Sequence, residues 1–374
     1  MSPSTGIETE ELEHVAAWER EEEFLRSEVP GLLCGRPAVR RIAALAEDVW
    51  EIEVEDGRKL VAKQQVFGFL VSGGPLDLLE VEEKVLGILR QDGCPVPRVL
   101  GCDRAAQIIY LEHVGDRTLD DVVQEGAGEV PSSYIRQAIV GLQAIDRNFS
   151  QHQAELGPLV SEAVGESALQ AAWHTARQQA REGLAALHRH LDGETPRRRC
   201  DQALEEMGTW LATRSPVLGS SDYNARNLVV DVGCGKLSFI EFAKIGWDWT
   251  ERRLVQYTTS MGSGREDGCM RRLLDAGGAA FYQEHSGRRD GARALDYHQI
   301  FFLLNGVAML CNALEAPAKA PGARLLSLWK NPQQRLTQFA SHLAGRLSAD
   351  ALATEFRAGF RAAIPTPDKT GDIL

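Results

Sequence analysis

The sequence predicts an α+β protein with two lobes, a small β-rich N-terminal lobe and a larger, mainly α-helical C-terminal lobe. Two patterns support this fold class: apolar residues alternate with a period of two over positions 38–65, and they recur at three- and four-residue intervals over most of the chain beyond position 115. The length of 374 residues is enough for about two domains. We therefore expect a helical extension (1–36), an N-terminal lobe (37–114) and a C-terminal lobe (115–374).

Composition and charge narrow the classes of protein to consider. Hydrophobic residues make up 44% and charged residues 25%, which is typical of a soluble globular chain. The net charge of -12 argues against sequence-independent nucleic-acid binding; it favours a cationic partner or serves solubility alone. The polar start of the chain and the lack of a long apolar run predict neither secretion nor a membrane span. Seven scattered cysteines suggest neither a disulfide framework nor a zinc site, so we expect a cytoplasmic protein.

The N-terminal lobe begins after a Glu-rich amphipathic helix predicted over Glu8–Glu28. Three antiparallel strands are predicted next, with a tight turn at Glu55–Arg58 before the third: Val39–Leu45, Val49–Val54 and Lys59–Gln65. A helix over Leu76–Gln91 and short strands over Val99–Cys102 and Gln107–Leu111 would complete a five-stranded sheet with one helix. The glycine-containing stretch Gly68–Gly74 is either a segment that closes over a substrate or a connection.

In the C-terminal lobe the spacing predicts eight helices: Leu119–Gln124, Ser132–Ser150, Ala168–Leu191, Arg197–Thr213, Cys269–Gln283, Tyr297–Leu314, Ala323–Gly345 and Ala349–Ala363. Three short apolar runs interrupt them: Val217–Asp222, Leu228–Asp231 and Leu237–Phe242. Asn- and Gly-rich turns separate these runs, which is typical of small strands inserted into a helical domain.

The interrupting strands carry the most informative polar residues. Asp222 is followed five residues later by Asn227, and Glu241 follows Asn227 by fourteen residues. Phosphoryl transfer requires such a set: one carboxylate to orient and deprotonate a hydroxyl, and an amide oxygen with a second carboxylate to hold Mg²⁺. A plain β-hairpin that uses Asp and Asn as turn residues is the alternative explanation.

Two upstream residues favour the catalytic interpretation. Lys63 ends an otherwise apolar strand, where burial of its ammonium is costly without an anion. Glu82 stands on the first helix after that strand, and kinase folds use a strand lysine paired with a helix glutamate to position the phosphates of ATP. The alternative is that both side chains are solvated.

These residues resemble the aminoglycoside phosphotransferase and choline kinase-like family, which has a protein-kinase-like fold. Val61-Ala62-Lys63 resembles the strand lysine, Glu82 and Pro95–Leu100 resemble the glutamate helix and the next strand entry, and Tyr110–Val114 resembles the hinge. The resemblance implies ATP and Mg²⁺ as cofactors, with Lys63 and Glu82 on the phosphate side. It further implies adenine at the backbone of Glu112 and Val114, Asp222 as catalytic base, and Asn227 and Glu241 as metal ligands.

The chain departs from the family pattern at three places. Ser220-Ser221 stands where the family has His-Gly, and Glu241 stands where it has the metal-binding Asp. Glutamate keeps the charge but adds a methylene, and Mg²⁺ demands near-ideal geometry. The loop at Ala46–Asp48 lacks the glycines that let backbone amides approach phosphates.

The function expected from the resemblance is transfer of the γ-phosphate of ATP to a hydroxyl. The acceptor is either a small molecule, with a cationic antibiotic or amino alcohol suited to the acidic surface, or a Ser or Thr of a precursor peptide in natural-product biosynthesis. The alternative is a pseudokinase that binds nucleotide or peptide as a scaffold for a biosynthetic partner protein. The segment Trp247–Arg253 either contacts the substrate or anchors itself on the helical lobe.

Overall fold

The computed structural model of the chain describes residues 22–65, 77–126, 131–161, 164–188 and 194–363. It confirms the α+β fold class, with a small antiparallel sheet towards the N-terminus and a larger helical part after it. Residues 22–32 form the first described helix (α1), within and beyond the end of the predicted Glu8–Glu28 helix. The predicted closing segment Gly68–Gly74 lies outside the described residues.

The N-terminal sheet has five antiparallel strands in the order β1-β2-β3-β5-β4. Their bounds are β1 Val39–Ala46, β2 Val49–Val54, β3 Lys59–Gln64, β4 Val99–Asp103 and β5 Ile108–Glu112. Alternation divides β3 between two layers: Leu60 and Ala62 pack in a cluster with α1, whereas Val61 packs in a cluster with the helix α2, Leu78–Gln91. Lys63 shares the parity of Val61 and therefore lies on the α2 face.

Helix α2 forms because its start is capped and one face is apolar. The Asp77 carboxylate accepts a hydrogen bond from the Glu80 amide (3.1 Å), and the helix stops at Asp92 before Gly93, which has φ +75°. Leucine and valine side chains on the buried face pack on the sheet. Glu82 occupies that same buried face, so the helix carries a carboxylate into the protein interior.

The C-terminal part contains eleven further described helices: α3 Leu119–Glu125, α4 Ser132–Gln151, α5 Gln153–Leu156, α6 Glu166–His188, α7 Glu194–Ala212, α8 Thr250–Tyr257, α9 Ala276–Ser286, α10 Gly291–Glu315, α11 Ala320–Leu328, α12 Pro332–Leu343 and α13 Ala351–Ala363. Its strands are β6 Arg117–Thr118, β7 Val217–Ser220, β8 Leu228–Asp231, β9 Lys236–Phe239, β10 Ile245–Asp248, β11 Thr259–Ser260 and β12 Arg271–Arg272. They pair antiparallel as β6-β8-β9, β7-β10 and β11-β12.

Helix α10 is the central helix of this part. It is long and apolar enough to cross a membrane, but 78% of its apolar window is buried inside the protein, as in the core helix of a soluble protein. It packs against α6 at Gly183, where an added Cβ would lie 2.0 Å from the Leu304 carbonyl oxygen. The two helix backbones therefore touch, and only glycine fits at this position.

Several predicted boundaries were wrong. The helix predicted over Cys269–Gln283 begins at Ala276, because Arg271–Arg272 pairs with β11 and Asp275 caps the helix. The helix predicted over Ala323–Gly345 is two helices, since Asn331 adopts φ +55° and Pro332 starts a new one. The helix predicted over Tyr297–Leu314 starts earlier, at Gly291.

The strands predicted over Val217–Asp222 and Leu237–Phe242 end at Ser220 and Phe239. In each case the residues beyond the strand form a loop that carries a candidate catalytic carboxylate. Strand β10 and helix α8 were not predicted. The strand has four residues and the helix eight, so neither contains enough apolar repeats to show a period.

Candidate active site

The predicted ion pair between Lys63 and Glu82 is present in the structure. Lys63 Nζ lies 3.0 Å from each Glu82 carboxylate oxygen and 2.9 Å from Oε2 of Glu241. The Lys63 side chain is 11% exposed and that of Glu82 only 1%. The sheet and α2 thus place an ammonium between two carboxylates, one buried and one at the surface of the cleft.

The protonation of this cluster follows from burial and charge. Burial disfavours the charged form of Lys63, but the Glu82 and Glu241 carboxylates outweigh it and raise the pKa of Lys63. Burial raises the pKa of Glu82, and the Lys63 charge opposes that rise. The Gln65 side-chain amide also donates to Glu82, and the Phe242 amide lies 3.4 Å from its Oε1. Glu82 is therefore fixed by three donors, with Lys63 among them.

Ser220 connects the two loops that carry the other candidate residues. Its hydroxyl donates to the Glu241 carbonyl (2.8 Å) and accepts a hydrogen bond from the Asp222 amide (3.2 Å). The Ile240 amide donates to the Asn227 carbonyl (3.0 Å). These bonds bring Asp222, Asn227 and Glu241 to one side of the cleft, opposite the sheet that carries Lys63.

Asp222 is held by two amide side chains. Asn227 Nδ2 donates to the Asp222 carbonyl (2.9 Å) and to its Oδ1 (3.1 Å), and Asn224 Nδ2 donates to Oδ1 (3.2 Å). Burial, followed by repulsion from Glu241, raises the pKa of Asp222, whereas Lys244 and Lys63 oppose the rise. A positioned carboxylate with a raised pKa is suited to accept a proton.

The oxygen atoms at this site fit a divalent cation. Asn227 donates through Nδ2, which leaves its Oδ1 to face a metal, and Glu241 bonds Lys63 through Oε2, which leaves Oε1. Carboxylate and amide oxygens are the ligands that Mg²⁺ prefers. The three carboxylates of the site, when ionised, also outnumber its two ammonium groups, Lys63 and Lys244, so the site attracts a cation.

Glu241 has an unusual backbone conformation. Its φ is +68°, in the left-handed region that few non-glycine residues adopt. Such conformations persist where surrounding contacts fix them, as the Ser220 and Lys63 contacts do here. The conformation turns the chain after β9 so that the longer glutamate side chain reaches Lys63.

A buried arginine supports the backbone before the loop that carries Asp222. Arg253, on α8, is 1% exposed and donates to the carbonyls of Ser220 (3.0 Å), Val217 (3.0 Å) and Gly246 (2.8 Å). An added Cβ at Gly219 would lie 2.9 Å from its guanidinium. Arg253 thus ties β7 to β10; sequence reasoning missed this role because α8 itself was not predicted.

Of the predicted hinge residues, Glu112 is the last residue of β5 and Val114 lies in the loop after it. The Glu112 amide donates to the Arg98 carbonyl (2.8 Å), so only its carbonyl is left to face a ligand. Val114 forms no hydrogen bond within the part of the chain that the structure describes. Gly115 follows, and an added Cβ there would lie 2.5 Å from the Val230 backbone. This close approach joins the hinge to β8.

A cavity of about 350 Å³ adjoins the catalytic loop on its helical side. Asn224 and Arg252 line it near the loop, and the rest of the wall is mainly aromatic and amide side chains. Of the segment Trp247–Arg253, Trp249 is buried and donates to the Arg214 carbonyl (2.9 Å), so it anchors, whereas Arg252 faces the cavity. The anchoring interpretation therefore holds for Trp249, and substrate contact stays a prediction for Arg252.

Sequence reasoning did not identify the cavity residues on α10. Besides Phe301 and Gly306, four of them stand at the spacing i, i+4, i+7 and i+11 along the helix: His298, Phe302, Asn305 and Met309. This stripe places two polar residues, His298 and Asn305, beside apolar ones on the same face, which was the available signal. The spacing alone predicts only the helix, Tyr297–Leu314, without distinguishing a core face from a cavity wall.

No protein-family model and no curated protein matches the sequence. Among solved structures, the GDP complex of wild-type aminoglycoside 2'-phosphotransferase-IIIa aligns with a TM-score of 0.52 and 13% identity, over 84% of this chain and 97% of that chain. A point mutant of the same enzyme aligns with a TM-score of 0.52 and 13% identity, over 82% and 95%. A choline/ethanolamine kinase family protein from Mesorhizobium loti aligns with a TM-score of 0.45 and 13% identity, over 92% and 99%.

The two matches to the aminoglycoside phosphotransferase confirm, at the level of the fold, the resemblance inferred from the sequence. The chain has a kinase-like bilobal fold, and the candidate site lies between its sheet and its helical part.

Proposed function

We propose that this chain is a kinase that transfers the γ-phosphate of ATP, bound with Mg²⁺, to a hydroxyl of a small molecule in the cytoplasm. The observation that carries the proposal is the geometry around Lys63. Its ammonium is held 3.0 Å from the buried Glu82 carboxylate and 2.9 Å from Glu241, on a fold of the kinase type. A desolvated ammonium fixed in this way is a phosphate-binding group.

The nucleotide contacts follow from the position of each group. Lys63 would contact the α- and β-phosphates while Glu82 orients it, and the Glu112 carbonyl and Val114 amide would face adenine. Asn227 Oδ1 and Glu241 Oε1 would hold Mg²⁺, which neutralises charge on the phosphates when bound.

Asp222 would act on the acceptor. Its carboxylate takes the hydroxyl proton as the acceptor oxygen forms a bond to the γ-phosphorus atom. The bond between that phosphorus and the β–γ bridging oxygen breaks, and ADP leaves with the electron pair. The amide donors from Asn227 and Asn224 keep the Asp222 carboxylate oriented during the transfer.

The dimensions of the cavity favour a small acceptor over a precursor peptide. A volume of about 350 Å³ falls in the usual range for small-molecule pockets, roughly 300–1,000 Å³. Asn224 lies both in the cavity wall and beside Asp222, so a hydroxyl in the cavity is close to the proposed base.

A nucleotide-binding scaffold is the second candidate function, favoured by Glu241. A glutamate already bonded to Lys63 through one oxygen is a departure from the family's aspartate that a catalytically inactive protein would tolerate. Catalytic turnover separates the two functions, because a scaffold binds nucleotide without transferring phosphate.

The test measures thermal unfolding with ATP, with and without Mg²⁺, together with release of ADP. Wild type should be stabilised by ATP only when Mg²⁺ is present and should hydrolyse ATP slowly without an acceptor. Lys63→Ala should lose the ATP-dependent rise, measured from its own melting temperature.

Lys59→Ala is the matched control, because Lys59 lies on the same strand but bonds Glu51 and Asp116 away from Glu82. It should keep the full response. An undiminished response in Lys63→Ala would contradict the assignment, and stabilisation without any turnover would favour the scaffold.

A further inference from the structure

We propose that the cavity beside the catalytic loop binds an uncharged, hydroxyl-bearing compound with a flat apolar ring system, and that His298 and Asn305 hydrogen-bond to its polar groups. The inference rests on the proposed kinase function in naming this compound the acceptor. Binding in the cavity is nevertheless measurable without catalysis, so the two proposals can fail separately.

The rings in the cavity wall determine the shape and polarity of its ligand. Trp173, Phe301, Phe302 and Trp329 all line it, and Trp173 lies with its ring centroid 4.9 Å from that of Phe301. Aromatic faces in this arrangement offer a large apolar contact to a flat ring. A flexible, wholly polar sugar would leave these faces unused.

The charge in the wall argues against a cationic ligand. Within the residues that the structure describes, no Asp or Glu lines the cavity, and Arg252 supplies a guanidinium. Arg252 is paired with Asp248 at 3.1 Å, but Asp248 is buried behind it. A bound cation would meet Arg252 in a wall that offers it no carboxylate, even though the tryptophan faces attract positive charge.

His298 supplies the observation that points to a ligand with polar groups. It is only 2% exposed, it lines the cavity, and neither ring nitrogen has a hydrogen-bond partner among the described residues. Burial, followed by the charge of Arg252, lowers the pKa of His298 well below its usual value, so the ring is neutral. A neutral imidazole offers one donor and one acceptor, and leaving both unpaired is costly.

Asn305 repeats the pattern two turns further along α10. It lines the cavity, and its side-chain oxygen is buried without a hydrogen-bond partner in the described part of the chain. Phe301 and Phe302 lie between the two polar residues on the same helix. The α10 wall thus alternates polar and ring contacts, which suits a ring system with polar groups at two positions.

The test uses a matched pair of probes, naphthylethanol and naphthylethylammonium, which share a ring and differ in the hydroxyl and the charged amine. Each is titrated into wild-type protein without nucleotide and followed by calorimetry. We expect the alcohol to bind roughly tenfold more tightly than the ammonium compound, because the ammonium meets Arg252 without a counter-ion. Equal or tighter binding of the ammonium, or no binding of the alcohol at millimolar concentration, would overturn the proposal.

Two variants test the polar contacts. His298→Phe keeps a ring of similar size and Asn305→Leu a similar volume. Because the probe carries a single hydroxyl, at least one of the two variants should weaken its binding by about tenfold through loss of a buried hydrogen bond. His342→Phe is the control, because this partly buried histidine lies on α12 and does not line the cavity. Unchanged affinity in both cavity variants, with melting temperatures like that of wild type, would exclude the assigned contacts.

The Lys63→Ala variant separates this inference from the kinase proposal. It should bind the alcohol as wild type does, because Lys63 does not line the cavity. If wild type binds the alcohol but shows no ATP response at all, the kinase function alone is refuted. Phosphate transfer to a cationic acceptor, with no binding of the alcohol, would refute the cavity inference alone.

Discussion

The cleft around Lys63 and the cavity around His298 differ in whether their buried polar groups have hydrogen-bond partners. In the cleft, Lys63, Glu82, Glu241 and Asp222 all bond to one another or to neighbouring amides. In the cavity, both nitrogens of His298 and the side-chain oxygen of Asn305 have no partner among the described residues. The comparison indicates that the side chains of the cleft hold one another in place before nucleotide or metal binds, whereas we propose that a ligand supplies the missing partners in the cavity.

The largest expected effect separates chemistry from binding in the cleft. Asp222→Asn keeps the shape of the side chain but removes the proton acceptor, so turnover should fall by about 10²–10⁴-fold with nucleotide affinity nearly intact. ADP release and the ATP-dependent melting shift measure the two quantities. Asp231→Asn, at the opposite end of β8 from Asn227, is the control; wild-type turnover equal to that of Asp222→Asn would defeat the enzyme interpretation.

The next effect tests how far the buried Glu82 carboxylate depends on the Lys63 ammonium for the stability of the protein. Lys63→Met leaves the buried Glu82 carboxylate without its ammonium and should lower the free energy of unfolding by about 3–5 kcal/mol. The double variant Lys63→Met/Glu82→Leu should recover most of that loss, because no charge remains buried. Urea denaturation measures both. A single variant as stable as wild type would show that Glu82 does not depend on Lys63.

A smaller effect is expected at Glu241. Glu241→Asp introduces the aspartate of the family that the sequence resembles. It also shortens the side chain, so the carboxylate no longer reaches Lys63 at 2.9 Å. Turnover should fall by less than about 10²-fold, the lower end of the range for a lost base, and Glu241→Ala should lose more. A rise in activity for Glu241→Asp would show that the loop is not adjusted to glutamate.

The smallest effect is expected in the cavity. His298→Phe removes two nitrogens that have no hydrogen-bond partner, so the free energy of unfolding should change by less than about 1 kcal/mol or rise. Thermal or urea unfolding without ligand measures this change. A loss as large as that of Lys63→Met would mean that His298 is satisfied in the free protein, and the contrast between the two regions would disappear.

The cleft was largely predictable from the sequence, and the cavity was not. Lys63 could be placed because period-two alternation puts it on the helix side of β3, and Asp222 and Asn227 because their spacing fits one loop. The contact of Glu241 with Lys63 depends on a left-handed backbone at 241, which no pattern in the sequence specifies. The residues of the cavity wall, such as Trp173, Phe301 and Trp329, lie far apart in the sequence. The wall therefore has no local sequence motif.

The net charge of the chain and the charge of the cavity wall favour different ligands. The value of -12 made a cationic acceptor one expectation, yet the described lining of the cavity contains Arg252 and no carboxylate. Net charge sums the whole surface, where acidic residues serve solubility, whereas recognition depends on the few groups in one wall.

The close packing of Gly183 against the Leu304 carbonyl also determines the position of the aromatic rings in the cavity wall. It sets the distance between α6, which carries Trp173, and α10, which carries His298 and Phe301. The rings are therefore ordered when the chain folds, and an acceptor that enters loses its own freedom without ordering the wall. We expect association without a slow conformational step and a favourable enthalpy, because the apolar space exists before its ligand arrives.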